Sequence, residues 1–146
     1  MTSLPVDIEE LCIALEADAS ALRWYFDLAT GDVILITEEY DPAEHDGLSA
    51  DEVERDVSRF RRVPAGDPAD AVGDMRAFAA ELGDAQLKES LELALSAPRP
   101  DRRFRAVLGW LPEMQDRWHK FRLQRCRARA HAWLKTLGVE ASHRAA

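Results

Sequence analysis

Between Glu38 and Asp56, nine carboxylates fall within nineteen residues, the densest concentration of one chemistry in the chain. Such a stretch invites a divalent-cation loop, because calcium is held by about six to eight oxygens drawn from fixed loop positions. The register does not supply them. Placing Gly47 at the turn glycine of such a loop puts Pro42 at its first position and Val53 at its last. Starting from Asp41 brings Glu52 to the last position but Ala43 and His45 to the third and fifth. The stretch is therefore expected to be a solvated acidic loop with a short helix, and no metal ligand is assigned.

Four histidines, His45, His119, His131 and His143, are the remaining metal or acid-base candidates. His119 and His131 fall on one long helical segment, twelve residues and about 120° apart, so they do not converge as an i, i+4 pair does. The chain contains no HExxH, no GxSxG, no phosphate-cradling GxxxxGK[ST] and no GxGxxG. Cys12 and Cys126, 114 positions apart, form neither a CxxC pair nor a disulfide framework. No catalytic residue and no cofactor are assigned, and enzyme function is not favoured.

The basic residues carry more information. Residues 1–98 hold 23 acids and 7 bases, whereas residues 99–146 hold 4 acids and 12 bases, so a net charge of −8 conceals a polarised chain. On the last long helix the bases sort into two groups by the 100° advance per residue. Arg117, Lys120, Arg127, His131 and Lys135 share an arc of about 80° facing away from Trp118 and Phe121. Together with Arg102, Arg103 and Arg105 just before the helix, they form a candidate surface for an anion or partner. Arg122, Arg125 and Arg129 make a separate row beside Trp118. A guanidinium at the border of a core needs a carboxylate or carbonyl, so this row is expected to pair with acids from the earlier part of the same chain. Trp110, Trp118, Phe121 and Trp133 sit among apolar residues and are expected in the core rather than as stacking platforms.

Positioning these groups requires a scaffold, and its elements are legible in turn. The chain has 146 residues, 47% hydrophobic and 32% charged, the composition of an ordinary globular domain. No apolar run approaches the ~20 residues of a membrane span, and the first residues do not read as a secretory signal. A cytoplasmic location is expected. Leu4, Ile8, Leu11, Cys12 and Leu15 recur at helical spacing, with Pro5 suited to a first turn. Leu22 to Leu28 alternates as a half-buried strand, with Leu22, Trp24, Phe26 and Leu28 inward and Arg23, Tyr25 and Asp27 outward. Ala29-Thr30-Gly31-Asp32 supplies a turn to the β-branched Val33–Thr37, and Phe60 to Pro64 offers a third strand. From residue 67 the pattern is helical. Asp67-Pro68 opens one helix and Asp84 a second. Pro98-Arg99-Pro100-Asp101 leads into a third, and Pro112 begins a long fourth that Gly138 caps.

The fold expected is α+β: a small antiparallel sheet packed with an N-terminal helix and a C-terminal helical cluster. One domain is expected over 1–146, with an acidic sheet part at 1–66, a helical part at 67–139 and a loose tail at 140–146.

Several residues in this order are similar to a group of small bacterial proteins known as uncharacterised protein family 0158. The resemblance rests on Trp24-Tyr25-Phe26-Asp27 with Thr30-Gly31-Asp32-Val33, Phe60 with Val63-Pro64, and Met75 with Phe78. It continues through Leu91 with Ala94-Leu95, Arg102-Arg103-Phe104, Trp118 with Phe121, and Ala132-Trp133-Leu134 with Leu137-Gly138. Residues 8 to 139 are covered. Where that group tends to approach the Arg-Phe pair through glycines, this chain has Ser96-Ala97-Pro98-Arg99-Pro100-Asp101. The resemblance implies a bacterial, cytoplasmic protein and carries over no catalytic residue. The functional expectation is a non-enzymatic protein-interaction or regulatory module. A nucleic-acid binder using the Arg-rich helices is the alternative, and an enzyme with a dispersed site comes third.

Overall fold

A computed structural model describes residues 1–17 and 22–142. In order, the elements are β1 (Thr2–Pro5), α1 (Ile8–Glu16), β2 (Arg23–Asp27), β3 (Val33–Ile36), a 3₁₀ turn (Pro42–His45), α2 (Ala50–Arg55) and β4 (Phe60–Arg62). There follow α3 (Pro68–Ala80), α4 (Ala85–Leu95), α5 (Pro100–Leu108), α6 (Pro112–Thr136) and β5 (Val139–Ser142). The protein is α+β, and it falls into two compact units: residues 1–66 with 127–146, and residues 67–126.

In the first unit an antiparallel sheet of order β3-β2-β4 stands on the expected hairpin and third strand. Trp24 pairs with Leu35 and Phe26 with Val33 across the hairpin, while Asp27 faces Phe60 on the other side. Gly31 turns the hairpin at φ +85°, and a Cβ there would stand 2.5 Å from the Pro5 carbonyl oxygen, so both backbone angle and space require glycine. The alternation in β2 predicts one buried face, but both are covered. Phe26 meets Trp133 of α6 edge-on at 5.9 Å. Tyr25, assigned outward by its register, is buried with Ile34, Ile36, Val53 and Phe60. The acidic stretch supplies that second cover, because α2 brings Val53 inward while Asp51 and Glu52 stay outside and Glu54 is half-buried. Leu22, expected inward, is exposed.

Two expectations at the chain's ends are corrected. Leu4 and Pro5 are not the first turn of a helix: they belong to β1, and α1 begins after Asp7, whose carboxylate accepts from the Glu10 amide at 3.1 Å. Residues 140–142 are not loose, since β5 pairs in parallel with β1, Leu4 opposite Ala141. A parallel partner more than 130 residues away leaves no mark on local spacing. His143 and the rest of the expected tail lie outside the described residues. The last part of α6 also departs from the expected division at 67–139, because residues from Arg127 onward group with the sheet. Ala130 and Leu134 are fully buried there, and Trp133 packs on Phe26.

The second unit is helical. Asp67 and Asp84 cap α3 and α4 as their sequence positions predict, accepting from the amides of Ala69 and of Gln86 and Leu87. The core gathers Met75, Phe78, Leu91, Leu95, Phe104 and Trp118. Phe78, Phe104 and Trp118 meet edge to face with centroids 5.0–6.3 Å apart, the arrangement that aromatic quadrupoles favour.

Candidate functional site

Helix α5 places its residues by simple periodicity. Phe104 and Leu108 point into the core, fully buried, and the opposite face carries Arg102, Arg103 and Arg105, all exposed. Arg105 pairs with Asp101 one turn earlier at 3.0 Å, and Arg103 donates from Nε to the Pro98 carbonyl oxygen at 3.1 Å. Arg102 has no such partner among the described residues. Immediately after the helix, Gly109 leads to Trp110, which is 88% exposed, and to Leu111, also exposed. The expectation of a core position therefore fails for Trp110, although Trp118 is buried and Phe121 and Trp133 are partly so. Pro112 explains the failure: it starts α6 directly after the turn, so Trp110 falls between two helices and belongs to the inward stripe of neither.

Within the two basic groups of α6, the residues differ one by one. Arg117, Lys120, His131 and Lys135 are exposed. Arg127, placed with them, instead donates from Nε to Glu9 Oε1 of α1 at 2.9 Å, and its Nη2 reaches the same oxygen. From the other group, Arg125 Nε donates to Asp74 Oδ1 at 3.0 Å, and Asp74 is only 2% exposed. Arg122 and Arg129 each have interactions of their own. Arg122 lies with His119, Arg105 and Asp101 around a cavity of about 550 Å³ in the helical unit.

A stronger charge pair escaped the sequence reading. Asp27, assigned outward on β2, is 1% exposed and takes Arg59 in a bidentate grip, Nε to Oδ1 and Nη2 to Oδ2, both at 3.0 Å. Its Oδ1 also accepts from the Ala29 amide at 2.8 Å. Burial acts to raise the Asp27 carboxyl, but the Arg59 and Ala29 hydrogen bonds outweigh it and hold the group below its ordinary range. An aspartate two residues before a turn amide carries the signal of an Asx turn, which points to the local half of this arrangement. The partner 32 residues later has no such signal. Arg59 also stacks over the Phe60 ring at 4.8 Å.

Among the described residues, no group of three or more His, Cys, Asp or Glu is arranged to hold a metal ion, and no helix is long and apolar enough to cross a membrane. His45 stacks on Tyr40 at 5.1 Å, and His119 and His131 are exposed on α6. Cys12 and Cys126 are buried free thiols.

These features define a small α+β protein whose most exposed aromatic side chain follows a basic helix. The chain belongs to the uncharacterised protein family UPF0158, whose model matches residues 1–145. It is 28% identical over 144 residues to the UPF0158 protein PA5073 of Pseudomonas aeruginosa, a match that covers 99% of this chain and 90% of that protein. No solved structure matches the chain.

Proposed function

We propose that this protein is a non-enzymatic interaction module, working in the cytoplasm, that binds an acidic segment of a partner protein through Trp110 and the outer face of α5. The carrying observation is the 88% exposure of Trp110. Leaving so large an apolar side chain in water forgoes a burial worth roughly 2–3 kcal/mol. Trp and Arg are also the residues that most often anchor protein interfaces. Arg102 and Arg103, exposed about two turns earlier on α5, supply the charge that an acidic partner complements.

The test is affinity capture from nuclease-treated extract of the native cell, comparing the unaltered chain with Trp110→Ala and with the double variant Arg102→Glu, Arg103→Glu. A partner retained by the first and lost by both variants supports the reading. Equal recovery by all three overturns it. Nucleic acid is the second reading, favoured by the same side chain, since an exposed indole following an arginine-bearing helix is also suited to stack on a base. Retention on single-stranded nucleic acid that weakens steeply with salt and depends on Trp110 would select it.

A further inference from the structure

We infer that this protein associates with itself, the basic outer face of α5 and Trp110 in one copy docking on the acidic loop 38–46 of a second copy. The inference rests on the interaction reading above and names the acidic segment which that reading requires. The basic side holds cations that are not yet matched. Arg105 pairs with Asp101 at 3.0 Å and Arg103 reaches the Pro98 carbonyl oxygen, but Arg99 and Arg102 are exposed and have no ion pair among the described residues. By helical phase Arg102, Ala106 and Gly109 lie within about 60° of one another, opposite Phe104, and Trp110 follows directly. All four are exposed, so no bulky side chain stands between the cation and the indole.

The same chain carries the complement. Glu38, Glu39, Asp41, Glu44 and Asp46 are all exposed, and none has an ion pair among the described residues. No lysine or arginine occurs between Arg23 and Arg55 to offset them locally. Within the loop, Tyr40 and His45 are half-buried and stack at 5.1 Å, and the Tyr40 hydroxyl donates to the Leu48 carbonyl oxygen at 2.8 Å. Burial raises the Tyr40 phenol above its ordinary range and the charges of Glu52 and Asp41 raise it further, so the field at the ring is negative. An indole beside guanidiniums thus meets an aromatic pair beside carboxylates, and ring contacts and charge-assisted hydrogen bonds form together. Two copies of charge −8 repel at long range, but at about 0.15 M salt a Debye length of about 8 Å screens that repulsion more than it does ion pairs in direct contact. Because the two patches differ, the contact is heterologous.

The experiment is sedimentation velocity of the full-length chain over about 5–500 µM in about 0.15 M sodium chloride, with thermal midpoints to check that each variant folds. The expected result is a sedimentation coefficient that rises with concentration, an association that Trp110→Ala weakens at least about tenfold. Two charge-reversed chains carry the decisive comparison: one with Arg102→Glu and Arg103→Glu, the other with Glu38→Lys, Glu39→Lys and Glu44→Lys. Each alone then presents one sign of charge on both patches and is expected to be monomeric, whereas an equimolar mixture is expected to associate again. A chain that stays monomeric across the range overturns the inference, and the interaction reading still stands if capture of another protein depends on Trp110. Association that Trp110→Ala and both reversed chains leave unchanged, or that does not return when the folded reversed chains are mixed, also overturns it. Indifference to Trp110→Ala in both sedimentation and capture removes the inference and the reading together.

Discussion

The most tightly determined side chain is Asp27. Its carboxylate closes the hairpin turn through the Ala29 amide and ties β2 to the residue preceding β4 through Arg59. Replacement by Asn keeps the shape but removes the charge-assisted grip, and is expected to cost about 1–3 kcal/mol in urea unfolding. The pH dependence follows from the depressed carboxyl. In the unfolded chain Asp27 titrates near its ordinary 3.8, and in the folded chain lower. Its stabilising contribution is therefore complete above about pH 5, declines as pH falls through 3.8 and is lost below the folded value. The Asp27→Asn variant is expected to show a flatter acid limb and an unchanged slope above pH 5. Two arginines two residues apart on α6 offer a sharper contrast. Arg125→Ala takes a partner from the buried Asp74 and is expected to cost about 1–3 kcal/mol. Arg127→Ala opens an exposed pair with Glu9 and is expected to cost less than about 1 kcal/mol. Equal costs by chemical denaturation would contradict this reading of burial. Of these residues, the Asp27 turn was half legible in sequence, and helical phase separates Arg125, beside Trp118, from Arg127, on the arc facing away from it, but does not name the carboxylate opposite either.

Elements differ in how locally they are specified. Caps, prolines and apolar stripes mark α3 and α4 residue by residue, and both helices form where those signals stand. The hairpin is equally local, and its turn explains why Gly31→Ala is expected to cost at least about 2 kcal/mol by thermal unfolding: the φ of +85° and the Pro5 oxygen both oppose a methyl group. The β1 and β5 pair is the reverse case, four residues at each end that become strands only because the other is there. The turn between α5 and α6 shows a third situation, in which local rules place a proline correctly and leave the preceding tryptophan outside both helical stripes. Trp110→Ala is expected to change the thermal midpoint by no more than a surface substitution, within about 0.5 kcal/mol. Phe104→Ala, six positions earlier and fully buried, is expected to lose about 3–5 kcal/mol. A large loss at Trp110 would mean that it is covered in solution.

Across the whole molecule the charge split of −16 against +8 is only partly converted into contacts. Arg125 with Asp74 and Arg127 with Glu9 join the basic segment to the acidic one, while Arg105 pairs within its own helix. Because most such pairs are wet, raising sodium chloride from about 0.05 to 0.5 M is expected to move the thermal midpoint by only a few degrees. Binding through Arg102 and Arg103 is expected to weaken clearly over the same range. Composition, helix signals and hairpin chemistry by themselves determined an α+β chain with an arginine-rich C-terminal segment, because helical and turn preferences act over a few residues and are written there. The cover on the second face of β2, the parallel pairing of the termini, the Asp27 grip on Arg59 and the exposure of Trp110 were decided only by the tertiary structure. Each depends on which distant surface arrives at a given side chain, and burial is a property of both surfaces at once.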